Sequence, residues 1–425
     1  MSNKINSVLK EVIEKVKPNK EDIGELDNLL DIFLTRLKSR IKSLKLDAEI
    51  FVGGSYAKKT MIKKDKYDID IFLRFDKKYG EEKIPLLMGS ILKNENMELV
   101  HGSRDYFKKK ISKNVYAELV PVRKIQNPKE AVNITDLSFL HVKYIGSKMK
   151  NKNILDEIRL AKAFCYANNC YGAESYVHGF SGYAIELLVH HYGNFEKFLR
   201  GIAKSKEREI IDMEKHYKNK NLVMMDVNSA KLNSPIILID PTYKQRNALA
   251  GLSSETLDKF KKACVEFLKN PKTESFEIKE IDFEKIRKIS KKNKQNFVII
   301  EVSTDRQQGD IAGSKLFKFF RFLDSEISKF FKVNKKEFVY SKQKSADYCF
   351  VAKSKGEFIV NGPKVNDQEN IKNFKSRHKK TFIKKNRIFA KEKINYSLKD
   401  FLEAWVKKNW KIMNEMGVSE IKITS

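Results

Sequence analysis

The sequence lacks several features, and each lack narrows what the chain can be. No run of about 18 apolar residues occurs, so no membrane-spanning helix is expected. The opening Met1-Ser2-Asn3-Lys4-Ile5 has no apolar core of a signal peptide. There are four cysteines, Cys165, Cys170, Cys264 and Cys349. No two are spaced C-x-x-C, which argues against a structural zinc or a thioredoxin-like motif. Thiols scattered in this way suit a reducing compartment better than a disulfide framework. No internal repeat recurs at a fixed period. A soluble, cytoplasmic protein is expected, with no membrane partner.

Acidic side chains are also in deficit. Asp and Glu number 55 against 85 Lys and Arg, a formal net charge of +30. Such a surplus favours a polyanionic partner, most simply nucleic acid. Runs such as Lys291-Lys292-Asn293-Lys294 also read as drift in a Lys- and Asn-rich proteome, so charge alone does not decide. What is present in quantity is apolar: 41% of the 425 residues are hydrophobic. That is enough for packed cores, and the length implies about two to four domains.

The apolar spacing lays out the elements. Ile23, Leu26, Leu30, Phe33, Leu37, Ile41 and Leu44 predict an amphipathic helix over 22–45. Glu49-Ile50-Phe51-Val52 predicts a strand entering a tight loop at Gly53-Gly54-Ser55. A second strand runs from Asp68 to Phe75, its first half alternating, and a third from Val115 to Val122. Residues 154–200 read as helical, interrupted near Tyr171-Gly172 and Gly179–Gly182. The stretch 234–247 reads as a short strand into a turn, followed by a helix from Ser254 to Leu268. A polar segment at 270–279, with Pro271, marks a boundary. Beyond it come a strand at 296–302, a helix at 313–331 and a hairpin of Phe338–Tyr340 with Tyr348–Val351. The last helix carries Phe401, Leu402, Trp405 and Trp410, with both tryptophans expected in the core. The basic segment 371–387, with Phe374 and Phe382 interleaved, reads equally as an RNA-tracking surface or as an exposed helix with core phenylalanines. His190 and His191 are no metal pair, because adjacent helical positions face different directions.

The chemistry concentrates in the first strands. Residues i and i+2 of a strand share a face, so Asp68 and Asp70 project together while Ile69 turns to the core. Two close carboxylates repel unless a cation neutralises them, and hard oxygens suit Mg²⁺. Gly53 and Gly54 let phosphates approach backbone N–H groups, and Ser55 adds a hydroxyl. This is a layout for in-line phosphoryl or nucleotidyl transfer. Glu118, a charge in an apolar strand, is the candidate third carboxylate; its plainer reading is a solvent-facing strand position. D-x-D or G-S alone carries little, and the strand–loop–strand combination carries the reading.

At these residues the sequence resembles the DNA polymerase β-type nucleotidyltransferase superfamily. Its signature is G-[GS], a spacer of roughly a dozen residues (here Tyr56 to Tyr67), then D-h-[DE]-h. Within that superfamily it is similar to the archaeal-type class I CCA-adding enzymes. The carrying segments are Gly54-Ser55-Tyr56-Ala57-Lys58-Lys59-Thr60, Tyr171-Gly172-Ala173-Glu174 with Gly179–Tyr183, Asp240–Asn247 and Asn361-Gly362-Pro363. The resemblance runs from about residue 40 to the C-terminus, with its strongest motifs before residue 255.

The resemblance implies an α+β, multidomain chain: a polymerase-β-type nucleotidyltransferase head (1–145), a helical central domain that binds the nucleotide base (146–269) and an α/β C-terminal tRNA-binding region (270–425). It implies template-independent addition of C, C and A to the tRNA 3′ end from CTP and ATP. Asp68, Asp70 and Glu118 would be the catalytic, Mg²⁺-binding carboxylates. Gly54, Ser55 and Lys58 would contact the triphosphate, His141, Lys162 and Tyr171 would line the nucleotide pocket, and Arg246 would read the base. The expected mechanism is a tRNA 3′-hydroxyl attacking the α-phosphorus, with the acceptor arm as partner. A homodimer stands among the expectations. Two departures are visible. Lys58 stands where Arg is usual, losing a bidentate fork. Glu118 stands where Asp is usual, reaching one methylene further. The long spacer from Tyr183 to Asp240 reads as an insertion.

Taken singly, these residues have plainer readings: Lys162 an exposed lysine, His141 a surface or capping histidine, Tyr171 a turn aromatic, Arg246 a cap for the next helix. Two other functions compete. One is a poly(A) polymerase or other adenylyltransferase of the same superfamily; the other is a non-catalytic RNA-binding relic.

Overall fold

In the structure, a computed structural model that describes residues 2–102 and 104–425, the chain divides into two units, Met1–Lys279 and Glu280–Ser425. The first begins with α1 (Ser2–Val16) and α2 (Lys20–Ser43). Asn19 caps α2 by accepting the Asp22 backbone N–H at 2.6 Å, which satisfies one of the donors a helix start leaves open. The stripe of Leu26, Leu30, Phe33, Leu37 and Ile41 is buried, as its spacing predicts.

That stripe packs on a five-stranded sheet of order β1-β2-β5-β4-β3. The strands are β1 (Ala48–Val52), β2 (Tyr67–Phe75), β3 (Glu98–Val100), β4 (Tyr106–Lys110) and β5 (Val115–Arg123). Two helices flank them in sequence, the one-turn α3 (Gly54–Ala57) and α4 (Ile84–Ile91). Ile69, Ile71, Leu73 and Phe75 of β2 fill the core with Ile84, Met88 and Ile91 of α4. β2 runs parallel to β5, which sets Asp70 level with Glu118.

Helices dominate the rest of this unit: α5 (Ser138–Lys148), α6 (Lys152–Ala167), α7 (Gly182–Tyr192), α8 (Phe195–Lys204), α9 (Lys220–Asp226) and α10 (Ser254–Lys269). In α7 every residue from Tyr183 to Val189 is buried. A helix covered on all sides reads as apolar all round, and this one carries a charge, Glu186, within it. A small sheet, β6 (Glu209–Ile211), β7 (Ile236–Asp240) and β8 (Tyr243–Asn247), is ordered β6-β7-β8. All five residues of β7 are buried.

The second unit holds two antiparallel sheets. β9 (Asn296–Ser303), β10 (Phe331–Tyr340), β11 (Ser345–Ser354) and β15 (Glu420–Thr424) form one, ordered β10-β11-β9-β15; β12 (Glu357–Lys364), β13 (Thr381–Lys384) and β14 (Arg387–Lys393) form the other, ordered β12-β14-β13. The helices are α11 (Phe283–Lys292), α12 (Asp310–Phe330), α13 (Gln368–Arg377), α14 (Leu398–Lys408) and α15 (Trp410–Glu415). Leu316, Phe319 and Leu323 of α12 pack with Tyr348 and Phe350 of β11 and Leu402 of α14.

The α+β class expected from sequence is what folds, and some local readings need correcting. The Gly53–Ser55 loop is the entry to α3 rather than irregular chain. Strands β3 and β4 were not legible: β4 reads Tyr-Phe-Lys-Lys-Lys, without alternation. The 371–387 segment divides between α13 and β13, with Phe374 and Phe382 half-buried. Trp405 is core at 9% exposure, but Trp410 is 43% exposed, because the chain breaks at Asn409 and starts a new helix on a different face. All four cysteines are buried free thiols, and no helix among the described residues is long and apolar enough to cross a membrane.

Phe33 is wholly buried between α2 and the sheet. Phe33→Ala is expected to destabilise the protein by about 3–5 kcal/mol, read as a lowered urea midpoint by tryptophan-independent circular dichroism.

Candidate active site

Strand geometry assembles the acidic half of the site. Ile69 is 1% exposed on the core side of β2, so Asp68 and Asp70 share the opposite face. Glu118 joins them through the parallel register with β5. The Asp70 carboxyl is pushed up to about 6, first by burial and then by repulsion from Glu118, with Asp68 adding to it. A lysine absent from the sequence reading completes the group. Lys108 of β4 lies opposite Glu118 in antiparallel register. Its Nζ donates to Asp68 Oδ1 at 2.8 Å and to Glu118 Oε1 at 2.7 Å. Burial alone would lower the Lys108 pKa, but Glu118 and Asp68 outweigh it and hold the ammonium above its ordinary value.

Two of the three carboxylates thus share one ammonium, and the third, Asp70, is left to the longer-range pull of Lys58 and Lys108. Among the described residues no three acidic, His or Cys side chains are gathered tightly as a ready metal cage, and two of these carboxylates are turned onto Lys108 instead. The donor set still fits a divalent cation. Its oxygens are hard, its negative charge is in surplus, and burial with the neighbouring carboxylates raises the Asp70 pKa, a cost that a bound cation would relieve.

The loop after β1 brings backbone against this face. Gly53 N–H donates to the Asp70 carbonyl at 2.8 Å. Gly54 has φ of +61°, and a Cβ there would lie 1.7 Å from Asp70 Oδ2. Both the left-handed backbone and the close carboxylate therefore demand glycine. Ser55 follows within α3, and Lys58 ends that helix.

From Lys58 the basic half begins. Lys58 Nζ donates to Glu186 Oε2 at 2.7 Å; Lys162 Nζ donates to Glu186 Oε1 at 2.8 Å and to Thr60 Oγ1 at 2.8 Å. Thr60 Oγ1 donates to Glu186 Oε1 at 2.7 Å. Burial would raise the Glu186 pKa, yet Lys162 and Lys58 hold it down at about 2. Lys162 is lowered to about 8 by burial, with the like charge of Lys58 adding to it against the pull of Glu186. Here two ammoniums share one carboxylate, so positive charge is in surplus.

A third cluster gathers on Asp240 at the end of β7. His141 Nε2 lies 3.1 Å and an Arg246 guanidinium nitrogen 2.5 Å from Asp240 Oδ2, while the Tyr183 hydroxyl donates to Oδ1 at 3.0 Å. Against its burial, His141 and Arg246 hold the Asp240 carboxyl well below the usual range. The His141 ring stacks on Tyr183 at 4.0 Å. Lys58 Nζ and the Arg246 guanidinium approach the same tyrosine ring, at 5.8 and 5.7 Å from its centroid. Arg246 keeps one buried donor, Nε, without a hydrogen-bond partner. Tyr171 stacks on Tyr166 at 3.9 Å. A Cβ on Gly182 would meet the Tyr171 hydroxyl at 2.7 Å and Lys162 Cε at 3.9 Å, so this glycine lets both approach the start of α7.

The sequence-nominated residues therefore fall into one neighbourhood: Asp68, Asp70 and Glu118 on the sheet; Gly54, Ser55 and Lys58 on α3; Lys162, Tyr171, His141 and Arg246 around α7. Lys162 is 3% and His141 9% exposed, so neither is the plain surface residue it would be alone. Arg246 lies within β8 and does not cap the following helix. The residues missed are Lys108, Thr60 and Glu186. A signal for Glu186 existed, since it is the one acidic residue in the apolar run Ala184–Val189. Lys108 gave none, being the first of three consecutive lysines. Asp240 and Tyr183 were noted as motif letters without a role.

Residues 31–160 match a family model described as a nucleotidyltransferase domain, and residues 156–277 one described as the second domain of tRNA nucleotidyltransferase. A CCA-adding enzyme of Nanoarchaeum equitans is 40% identical over 242 residues, covering 56% of this chain and 59% of the relative. That is under two thirds of the relative's length. The CCA-adding enzyme of Methanocaldococcus jannaschii is 29% identical over 418 residues, covering 92% of this chain and 88% of the relative. Among solved structures, a cytoplasmic RNA terminal U-transferase superposes with a TM-score of 0.51 at 15% identity, over 66% of this chain and all of that one. That likeness concerns the fold.

Two outcomes follow from the charges. The raised Asp70 pKa contributes stability that is full below the ordinary carboxylate range and is lost as pH rises through about 6. In EDTA, Asp70→Asn is therefore expected to melt a few degrees above the unaltered protein at about pH 7.5, with the gap closing toward pH 4. Differential scanning fluorimetry across pH reads it, and a constant gap would refute the assignment. Glu186→Ala leaves two buried ammoniums facing each other. It is expected to cost about 3–5 kcal/mol in chemical denaturation, with Glu186→Gln costing less.

Proposed function

Because the chain belongs to the archaeal CCA-adding enzymes, within the nucleotidyltransferases, we propose that it adds C, C and A to the 3′ end of tRNA from CTP and ATP without a nucleic-acid template. The observation that carries this reading is the juxtaposition of an acid-rich sheet face and two base-rich clusters at the two ends of Gly54–Lys58. A metal–triphosphate complex has the charges to complete both.

In this reading Asp68, Asp70 and Glu118 hold a divalent cation, Mg²⁺ by the chemistry of their oxygens. When bound, such a cation supplies Lewis acidity that neutralises phosphate oxygens and lowers the pKa of the attacking hydroxyl. The chain's own residues do the rest. Gly54 exposes backbone to the triphosphate, with Ser55 beside it. Lys58, Lys162 and His141 set positive or donor groups around it, and Tyr171 supports Lys162 from the side. Arg246, fixed on Asp240, reads the base. The tRNA 3′-oxygen forms the new bond to the α-phosphorus in line, the α–β bridge breaks, and pyrophosphate leaves.

The division of labour is a catalytic head at 1–145, a base-binding central part at 146–269 and a tRNA-binding body at 270–425. The lysine-rich body grips the acceptor arm by its shape and its phosphates, as A-form helices are read. A cytoplasmic location and a homodimer belong to the same proposal, the latter open to sedimentation analysis.

The deciding assay uses tRNA ending at the discriminator base, with labelled CTP and ATP supplied separately. Two C residues followed by a stop with CTP alone is the expected result, and AMP addition only once CC is present. Indifference to CTP would favour an adenylyltransferase, and no pyrophosphate release with either nucleotide a non-catalytic RNA-binding protein. Asp70→Ala is expected to abolish CMP and AMP incorporation alike. Retention of both would sink the site assignment.

A further inference from the structure

We propose that Lys108 is a built-in counter-cation of the carboxylate site, holding Asp68 and Glu118 in the metal-free protein and yielding its place when a divalent cation enters. The inference rests on the reading of Asp68, Asp70 and Glu118 as the metal site. It adds a residue to that site that no motif contains.

The geometry is specific. Lys108 Nζ sits 2.8 Å from Asp68 Oδ1 and 2.7 Å from Glu118 Oε1, so one ammonium spans two of the three carboxylates. It arrives from a strand, not a loop. β4 is hydrogen-bonded to β5, with Lys108 directly opposite Glu118. Its Nζ also lies 5.0 Å from the Tyr116 ring centroid, which steadies the stem. Its neighbours are used differently: Lys109 pairs with Glu95, and Lys110 is exposed.

Two consequences follow. Asp68 and Glu118 are held in place without metal, because one ammonium hydrogen-bonds both. A free divalent cation must displace that ammonium from two oxygens it needs, so its affinity is weakened. A cation arriving on a triphosphate brings further ligands and overcomes the competition. The site thereby discriminates between free metal and the metal–nucleotide complex.

The test is Mn²⁺ binding to the nucleotide-free full-length chain, followed by electron paramagnetic resonance. Lys108→Met is expected to bind Mn²⁺ about tenfold more tightly than the unaltered protein, since a competing charge at contact distance is removed. Lys110→Met removes the same charge from the same strand without touching the site and is expected to bind as the unaltered protein does. Asp70→Asn is expected to lose binding. Equal or weaker binding by Lys108→Met, or an equal gain in Lys110→Met, overturns the role of Lys108 while loss in Asp70→Asn leaves the metal site standing. No Mn²⁺ uptake by any of the proteins overturns both. Should Lys108→Met fail to fold by circular dichroism, Lys108→Gln removes the same charge with a polar side chain and is read identically.

Discussion

Charge left unbalanced on purpose is the constraint around which this site is arranged. On one side of Gly54, three carboxylates gather and the ammonium of Lys108 bonds two of them; on the other, the ammoniums of Lys58 and Lys162 share the single carboxylate of Glu186. Buried charge is costly unless paired, and a fold selected for stability alone would have matched the counts. The raised Asp70 and the lowered Lys162 are the two signs of the same mismatch. Negative charge is in surplus at one place and positive charge at the other, and a metal-bound triphosphate carries the complement of both.

Such an arrangement holds only if the charged groups cannot relax toward each other. Each is therefore mounted on an element anchored by apolar burial. Asp68 and Asp70 alternate with Ile69 and Ile71, which are 1% and 0% exposed. Glu186 projects from a helix buried from Tyr183 to Val189, and Asp240 ends a strand buried at every position. Sites carried on rigid elements hold their geometry better than sites on loops. The backbone from Gly54 to Lys58 links the halves, and a left-handed glycine lets the chain turn there against Asp70.

This also explains how much could be read in advance. Periodicity recovered α2, β5, α6 to α8, α10, α12 and α14, while α1, α4, α5, α9 and α11 went unread. The Asp68-Ile69-Asp70 alternation placed two carboxylates with no family knowledge. Glu118 was nominated as a charge in an apolar strand and through the resemblance, but its partnership with Asp70 rests on the parallel register, which no single sequence displays. Lys108 was invisible for a similar reason: β4 has no alternation, and one lysine of three is selected by a cross-strand pairing. His141, Lys162, Tyr171 and Arg246 entered through motif resemblance. Their physical basis, convergence on Glu186 and Asp240 from distant parts of the chain, is tertiary.

The two departures from the family pattern make sense within the same charge arithmetic. Glu186 has two oxygens, and both are committed: Oε1 to Thr60 and Lys162, Oε2 to Lys58. A lysine at 58 is a point donor that needs one oxygen only. The planar fork of an arginine takes two parallel bonds and would compete with Lys162 for Oε1. Lysine at this position is thus matched to the way Thr60 and Lys162 divide the other oxygen. At 118 the longer glutamate faces Lys108 across an antiparallel pair. Its additional methylene gives the carboxylate the reach to meet an ammonium that also bonds Asp68. The longer carboxylate at 118 is, in its packing, half of the bridge that keeps the acidic face together.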